Sequence, residues 1–258
     1  MANADTGEIR LHHIETGHHD GIPLLLVHGW GGDACSWAPV VAALTPGTYR
    51  VIVADLRGHG HSPAPAAGYR PADLAADLAR LAQRLDLGPF VAVGHSMGAQ
   101  VVTVLAVTRP EVVRALVVVD PAYAADEQEE ILIPGRLAAL RAEGAQAAAR
   151  QLGALPPDVL AQLLATPRHV LAQCYAGMYA GPDAFGVRPA TARYLARRRC
   201  PVLCLRSVAE AARWEAAIPG DPRSEIVTWK GCGHFLHRER PRDFARLLDR
   251  WLPKALWS

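Results

Sequence analysis

Residues 90–107 read FVAVGHSMGAQVVTVLAV, and the order of parts within them decides the fold. Phe90–Val93 is a short, unalternating apolar run, the pattern of a strand covered on both faces. Gly94-His95-Ser96-Met97-Gly98 follows it directly and Ala99–Val107 reads as a helix. A G-x-S-x-G stretch between strand and helix turns the chain sharply, so that Ser96 stands above the sheet with its Oγ exposed. The N–H groups of the following helix then point at any negative charge that develops beside it. Outside this setting the pattern occurs by chance, and the bland alternative is a buried structural serine.

Similar apolar runs recur on either side: Leu24–Val27, Val51–Ala54, Ala115–Val119, Val202–Leu205 and Ile226–Trp229. Between them lie helical segments such as Pro71–Leu87, where Leu74, Leu78, Leu81 and Leu85 mark one apolar face. Strand and helix in alternation predict an α/β fold, a doubly wound and mainly parallel sheet. Glu8–Glu15 is read as an antiparallel partner at one edge. The rhythm breaks between Asp120 and Cys200, an interval of 80 residues, so a helical cap is expected over 124–195. The core is then 1–123 and 196–258. Helical stretches are expected at Gln128–Leu152, Pro157–Ala165 and Pro167–Tyr179, with breakers at Pro134, Gly153, Pro156 and Gly181. A cap over the strand ends would turn Tyr123, Tyr175, Met178, Tyr179 and Phe185 toward substrate. The alternative is a thicker helical layer with these residues in its core.

The 258 residues are half hydrophobic and one-fifth charged, which suits a globular chain and excludes a disordered one. Lys plus Arg against Asp plus Glu is 27 − 25 = +2, and the only basic run is Arg197-Arg198-Arg199, so neither nucleic acid nor a membrane is expected as a partner. No apolar run approaches the length that spans a bilayer, the N-terminus lacks the regions of a signal peptide, and a cytoplasmic location is expected. Five cysteines, Cys35, Cys174, Cys200, Cys204 and Cys232, contain no C-x-x-C pair and read as reduced thiols. The eleven histidines include no H-E-x-x-H, so no metal and no cofactor is expected. Oligomeric state is left open.

A serine hydroxyl needs a general base. His234 is the candidate, in the glycine-rich Lys230–Phe235 loop just after the last strand run. There it reaches the same sheet edge as Ser96. His95 is a weaker rival because neighbouring side chains on a tight turn point apart, and His237 falls on the approach to the last helix. His28-Gly29-Trp30-Gly31-Gly32 follows the strand Leu24–Val27. Its backbone can supply an N–H from Trp30 that forms, with the amide of Met97, an oxyanion hole.

HGWGG at 28–32, DLRGHGHS at 55–62, GHSMG at 94–98, VVVDP at 117–121 and GCGHF at 231–235 stand in an order that resembles the α/β-hydrolase fold. The resemblance implies an eight-stranded sheet, a Ser–His–acid triad and a cap after the sixth strand. In DLRGHGHS it implies a structural corner with Asp55 and Arg57 bonded inside it. Most members carry G-x-x-D after the seventh strand; here that position reads Arg206-Ser207-Val208-Ala209-Glu210, with no aspartate before Asp221. Glu210 is one candidate acid. A minority of members use an aspartate ending the sixth strand, which here is Asp120, and Asp120 is taken as the triad acid with Glu210 as the alternative. Asp221 is a distant third.

The implied activity is hydrolysis of a carboxylic ester or lactone through a serine acyl-enzyme, on a small molecule with a hydrophobic portion. Two alternatives use the same scaffold: a cofactor-free dioxygenase with an Asp120–His234 dyad, and a non-catalytic ligand receptor.

Overall fold

A computed structural model describes residues 9–181 and 184–257. Its sheet has seven strands among the described residues, in the order β1-β3-β2-β4-β5-β6-β7. They are β1 (His13–Gly17), β2 (Ile22–Val27), β3 (Tyr49–Ala54), β4 (Phe90–His95), β5 (Val113–Val119), β6 (Val202–Arg206) and β7 (Glu225–Thr228). Of the eight strands that the resemblance implies, seven lie among the described residues. β1 pairs antiparallel with β3, from His13↔Ala54 to Gly17↔Arg50, and all other pairings are parallel. It is the expected edge partner, beginning later than Glu8, which lies outside the described residues.

The central strands are mostly apolar because helices cover both of their faces, whereas the edge strand β1, HIETG, is largely exposed. Leu25, Val27, Ile52 and Ala54 join one core cluster, whereas their neighbours Leu24, Leu26, Val51 and Val53 join the other, as the two-residue period of a strand demands. The flanking helices are α1 (Ala38–Val41), α2 (Pro71–Arg84) and α3 (Met97–Thr108). α2 starts with Pro71 at its first position, and the Asp73 carboxylate accepts from the Arg70 N–H at 3.0 Å. It buries Leu74, Leu78 and Leu81 but ends at Arg84, short of the expected Leu87, because the chain leaves helical geometry at Asp86 with φ +46°.

Five helices fill the long interval: α4 (Glu127–Glu143), α5 (Ala145–Leu152), α6 (Pro157–Ala165), α7 (Arg168–Tyr179) and α8 (Arg188–Leu195). The helical stretch expected over Gln128–Leu152 is two helices parted at Gly144, whose φ of +59° suits a residue without Cβ. Pro134, expected as a breaker, lies inside α4; it removes one backbone donor in the second turn and the helix continues. Pro182 and Asp183, within the same interval, lie outside the described residues. The chain closes with α9 (Ala209–Ala216), α10 (Leu236–Glu239) and α11 (Pro241–Trp257). α11 buries Phe244, Leu248, Trp251 and Leu252 against the second cluster. Among the described residues no helix is long and apolar enough to cross a membrane.

The chain leaves β2 toward β3 on one side and later returns to lay β4 on the other. The loops after β2 and β4 therefore flank the point where strand order reverses, the place where open α/β sheets form clefts.

Candidate active site

Ser96 sits between β4 and α3 with φ +52° and ψ −116°, a conformation that costs a residue with a Cβ roughly 1–3 kcal/mol. Neighbouring strands hold it there. The Ser96 N–H donates to the Val119 carbonyl at 3.0 Å, and the Ser96 carbonyl accepts from Ala122 N–H at 3.2 Å. The flanking glycines are sterically required. A Cβ on Gly94 would lie 2.4 Å from the Gly98 carbonyl oxygen, and one on Gly98 would lie 2.4 Å from that of His28.

The loop at 28–32 lies directly against this turn. A Cβ on Gly29 would come within 2.9 Å of His95 Nδ1 and 3.1 Å of Ser96 Cβ. His28 shapes the loop from inside: its Nδ1–H donates to the Gly29 carbonyl at 2.7 Å, and Nε2 accepts from Leu56 N–H at 3.0 Å. Burial holds its pKa below the usual value and outweighs the Gly29 carbonyl and nearby Asp55, which favour the cation. Trp30 lines the cleft and donates its indole N–H to the Leu171 carbonyl at 3.1 Å. Met97 is the first residue of α3.

His234 follows β7 and donates from Nδ1 to Asp120 Oδ2 at 2.7 Å. Asp120 follows β5 with φ +41°. Its Oδ1 accepts from both the N–H and the hydroxyl of Ser207, each at 2.9 Å. Burial pushes the Asp120 carboxyl upward, but the hydrogen bond and charge of His234 with the Ser207 donors outweigh it, so the group titrates below the ordinary carboxylate value. Glu210 lies in the exposed first turn of α9. Asp221 is engaged by Arg223 at 2.8 Å. Neither meets His234. Ser207 has no motif to betray it, since its role follows from β6 lying beside β5, with Val119 opposite Leu205.

The two rival histidines are buried. His95 donates from Nε2 to the His234 carbonyl at 2.9 Å, tying the loop of the base to the turn of Ser96. Burial, then the neighbouring His237 and His234, hold its pKa well below 6.5. His237 lies in α10 against Trp37 at 4.3 Å between ring centres. Burial drives its pKa down to about 3.

Ser96 and His234 open into a cavity of ≈ 290 Å³ between the sheet edge and the helical insert. Tyr123, Tyr175, Met178 and Tyr179 line it as expected; Phe185 does not. Phe185 instead stacks on Tyr123 at 5.4 Å and packs against Tyr194 at 4.6 Å, because the turn before α8 carries it behind the wall. Glu129, Arg136 and Gln151 also line the cavity; nothing in the amphipathic pattern of the insert singles them out.

The Asp55–Ser62 corner departs from expectation in one respect. Asp55 does bond locally, accepting from Ala34 N–H at 2.7 Å and His61 N–H at 2.9 Å, but Arg57 reaches across to Asp77 on α2 at 2.5 and 2.7 Å. Among the described residues one trio could hold a metal, His12, Asp55 and His61, with ligand atoms within 4.8 Å of one another; none of them lines the cavity.

Residues 22–181 match the family model described as the alpha/beta hydrolase fold. The chain belongs to that family. It resembles a thermophilic esterase of Thermogutta terrifontis, solved with malate bound, at 27% identity and a TM-score of 0.81 over 98% of this chain and 97% of that one. An enol-lactonase of Burkholderia xenovorans shares the fold at 22% identity and a TM-score of 0.80, over 96% and 98% of the two chains. Among curated relatives, (E)-2-((N-methylformamido)methylene)succinate hydrolase of Acinetobacter baylyi is 38% identical over 112 residues, 43% of this chain and 41% of that protein. The aligned region thus spans less than half of that relative.

Proposed function

We propose that this chain is a hydrolase that cleaves a carboxylic ester or lactone through a serine acyl-enzyme. The observation that carries the reading is the His234 Nδ1–Asp120 Oδ2 pair at 2.7 Å, which leaves Nε2 of the same ring for the cavity that Ser96 shares. In this reading the Asp120 carboxylate selects the tautomer with its proton on Nδ1, so that Nε2 is the basic atom. Ser96 Oγ attacks the carbonyl carbon and gives its proton to His234 Nε2. The carbonyl π-bond opens to an oxyanion, held by the amides of Met97 and Trp30. Collapse of the tetrahedral intermediate expels the alcohol, which takes the proton from His234, and leaves Ser96 acylated. Water, deprotonated by His234, then repeats the sequence and frees the acid. Residues 124–195 act as the cap that closes the cavity over these groups. The similarity to the Thermogutta terrifontis esterase, at 27% identity over nearly the whole chain, is in keeping with ester chemistry.

The test is turnover of 4-nitrophenyl esters and a lactone panel by the purified chain and by Ser96→Ala, together with labelling by a fluorophosphonate. Labelling at Ser96 with at least a 10³-fold loss in kcat/KM on substitution is expected. Unimpaired hydrolysis by a correctly folded Ser96→Ala protein refutes the mechanism.

A further inference from the structure

Among the described residues the cavity lining includes one arginine and no lysine: Arg136 of α4. The other cavity residues are mostly aromatic and aliphatic, and Arg136 is half-exposed, so its charge is open to a ligand that enters the cavity. Among the described residues no carboxylate lies within ion-pairing distance of Arg136. Its neighbour on the same helix face, Glu129, also lines the cavity, but one Glu129 oxygen accepts from the Asp126 N–H at 3.2 Å and caps the helix. The backbone and the side chain of Arg136 each have a neighbour in the insert. The Gln151 amide donates to the Arg136 carbonyl at 3.2 Å, pinning α4 to α5. The Tyr175 hydroxyl stands close enough for Arg136 to oppose the upward push that burial gives its pKa.

The path from Ser96 to Arg136 can be followed along the wall. Ala122 bonds to Ser96, the Tyr179 hydroxyl donates to the Ala122 carbonyl at 3.0 Å, and the Tyr179 ring meets Tyr175 at 5.1 Å between centres. The rings of Tyr179 and Tyr175 therefore link the turn of Ser96 to the neighbourhood of the guanidinium along the cavity wall. Resting on the ester or lactone reading above, we propose that Arg136 is a substrate-binding residue that selects substrates carrying a carboxylate, set apart from the scissile carbonyl by an apolar spacer. The rings of Tyr175 and Tyr179 take the spacer, and the planar guanidinium takes the carboxylate, a match that Arg makes in bidentate fashion.

The experiment compares mono-4-nitrophenyl adipate with 4-nitrophenyl hexanoate, equal in carbon count and differing by a terminal carboxylate. Wild-type protein is expected to favour the adipate ester by about 10- to 100-fold in kcat/KM, the range of a charge-assisted hydrogen bond. The preference should appear mainly in KM and shrink as salt is raised. Arg136→Gln should collapse the adipate-to-hexanoate ratio toward one or below, and Arg136→Lys should retain part of it. Because the ratio is internal to each variant, a general loss of folded protein cannot mimic the result. Free adipate should raise the Tm of the wild type and not that of Arg136→Gln, a readout that needs no turnover. Hydrolysis of both esters with no adipate preference, or an unchanged ratio in Arg136→Gln, overturns the proposal. Failure to hydrolyse either ester refutes the catalytic reading instead, and the Tm comparison then decides the binding claim alone.

Discussion

His237 predicts how the fold responds to acid. Its ring is fully buried, and neither nitrogen has a hydrogen-bond partner among the described residues. Burial, reinforced by Arg238 and His234, lowers its pKa from 6.5 to about 3. His59 is lowered to about 3 as well, by burial and then His28. Each is neutral in the folded chain, whereas the unfolded chain binds a proton below pH 6.5, so stability is lost as pH falls from that value toward the folded pKa. From pH 7.5 to 5.5 the loss is about 1.4 kcal/mol per histidine, from RT ln(1 + 10). Any folded pKa below about 4.5 gives nearly the same figure at pH 5.5. The pair therefore removes about 2.8 kcal/mol from a total that for most domains is about 5–15 kcal/mol. His28 and His95 act in the same direction. The carboxylates do not confuse this window: Asp120 and Glu215 titrate below their ordinary values, so the stability they contribute is lost only at lower pH. Urea unfolding followed by tryptophan fluorescence at the two pH values measures the loss. His237→Leu should reduce it by about 1.4 kcal/mol, whatever the substitution does at pH 7.5. An acid-induced loss identical in wild type and variant would refute the reasoning.

Two further predictions separate neighbouring carboxylates by role. Asp120→Asn keeps the shape but can donate to Nδ1, favouring the wrong imidazole tautomer, and should cut kcat by about 10³- to 10⁴-fold, while Glu210→Gln changes it less than about twofold; steady-state kinetics on one ester distinguishes them, and the reverse ranking gives the role to Glu210. Glu215→Gln should destabilise the fold by about 3–5 kcal/mol, read by urea unfolding, because this buried carboxylate faces Arg198 at 3.0 Å and Arg206 at 2.8 Å and accepts from the Tyr123 hydroxyl at 3.0 Å.

What the sequence made legible differs from what it hid by the distance over which each cause acts. The turn at Ser96 is readable because its cause is local: Gly94 and Gly98 are four residues apart, and a Cβ on Gly94 would strike the Gly98 carbonyl. The strands are readable because both faces are covered, which leaves continuous apolar runs. The acid was readable only as a preference for Asp120 over Glu210: the sheet holds a carboxylate at a strand end, but which one meets His234 depends on where the loop after β7 lies, and the structure pairs His234 with Asp120 while Glu210 sits in the exposed first turn of α9. Ser207 was missed because its role follows from β6 lying beside β5. Phe185 and Arg136 show the limit in the insert. An aromatic residue there satisfies burial equally in a cavity wall or behind it, and Phe185 went behind, onto Tyr123 and Tyr194. A charged residue has fewer acceptable places. Arg136 lines the cavity with no carboxylate paired to it among the described residues, and that narrows what its charge can meet there. In this chain the aromatic residues of the insert therefore bear on the apolar part of what fits beneath it, and under the proposal above Arg136 bears on its charge.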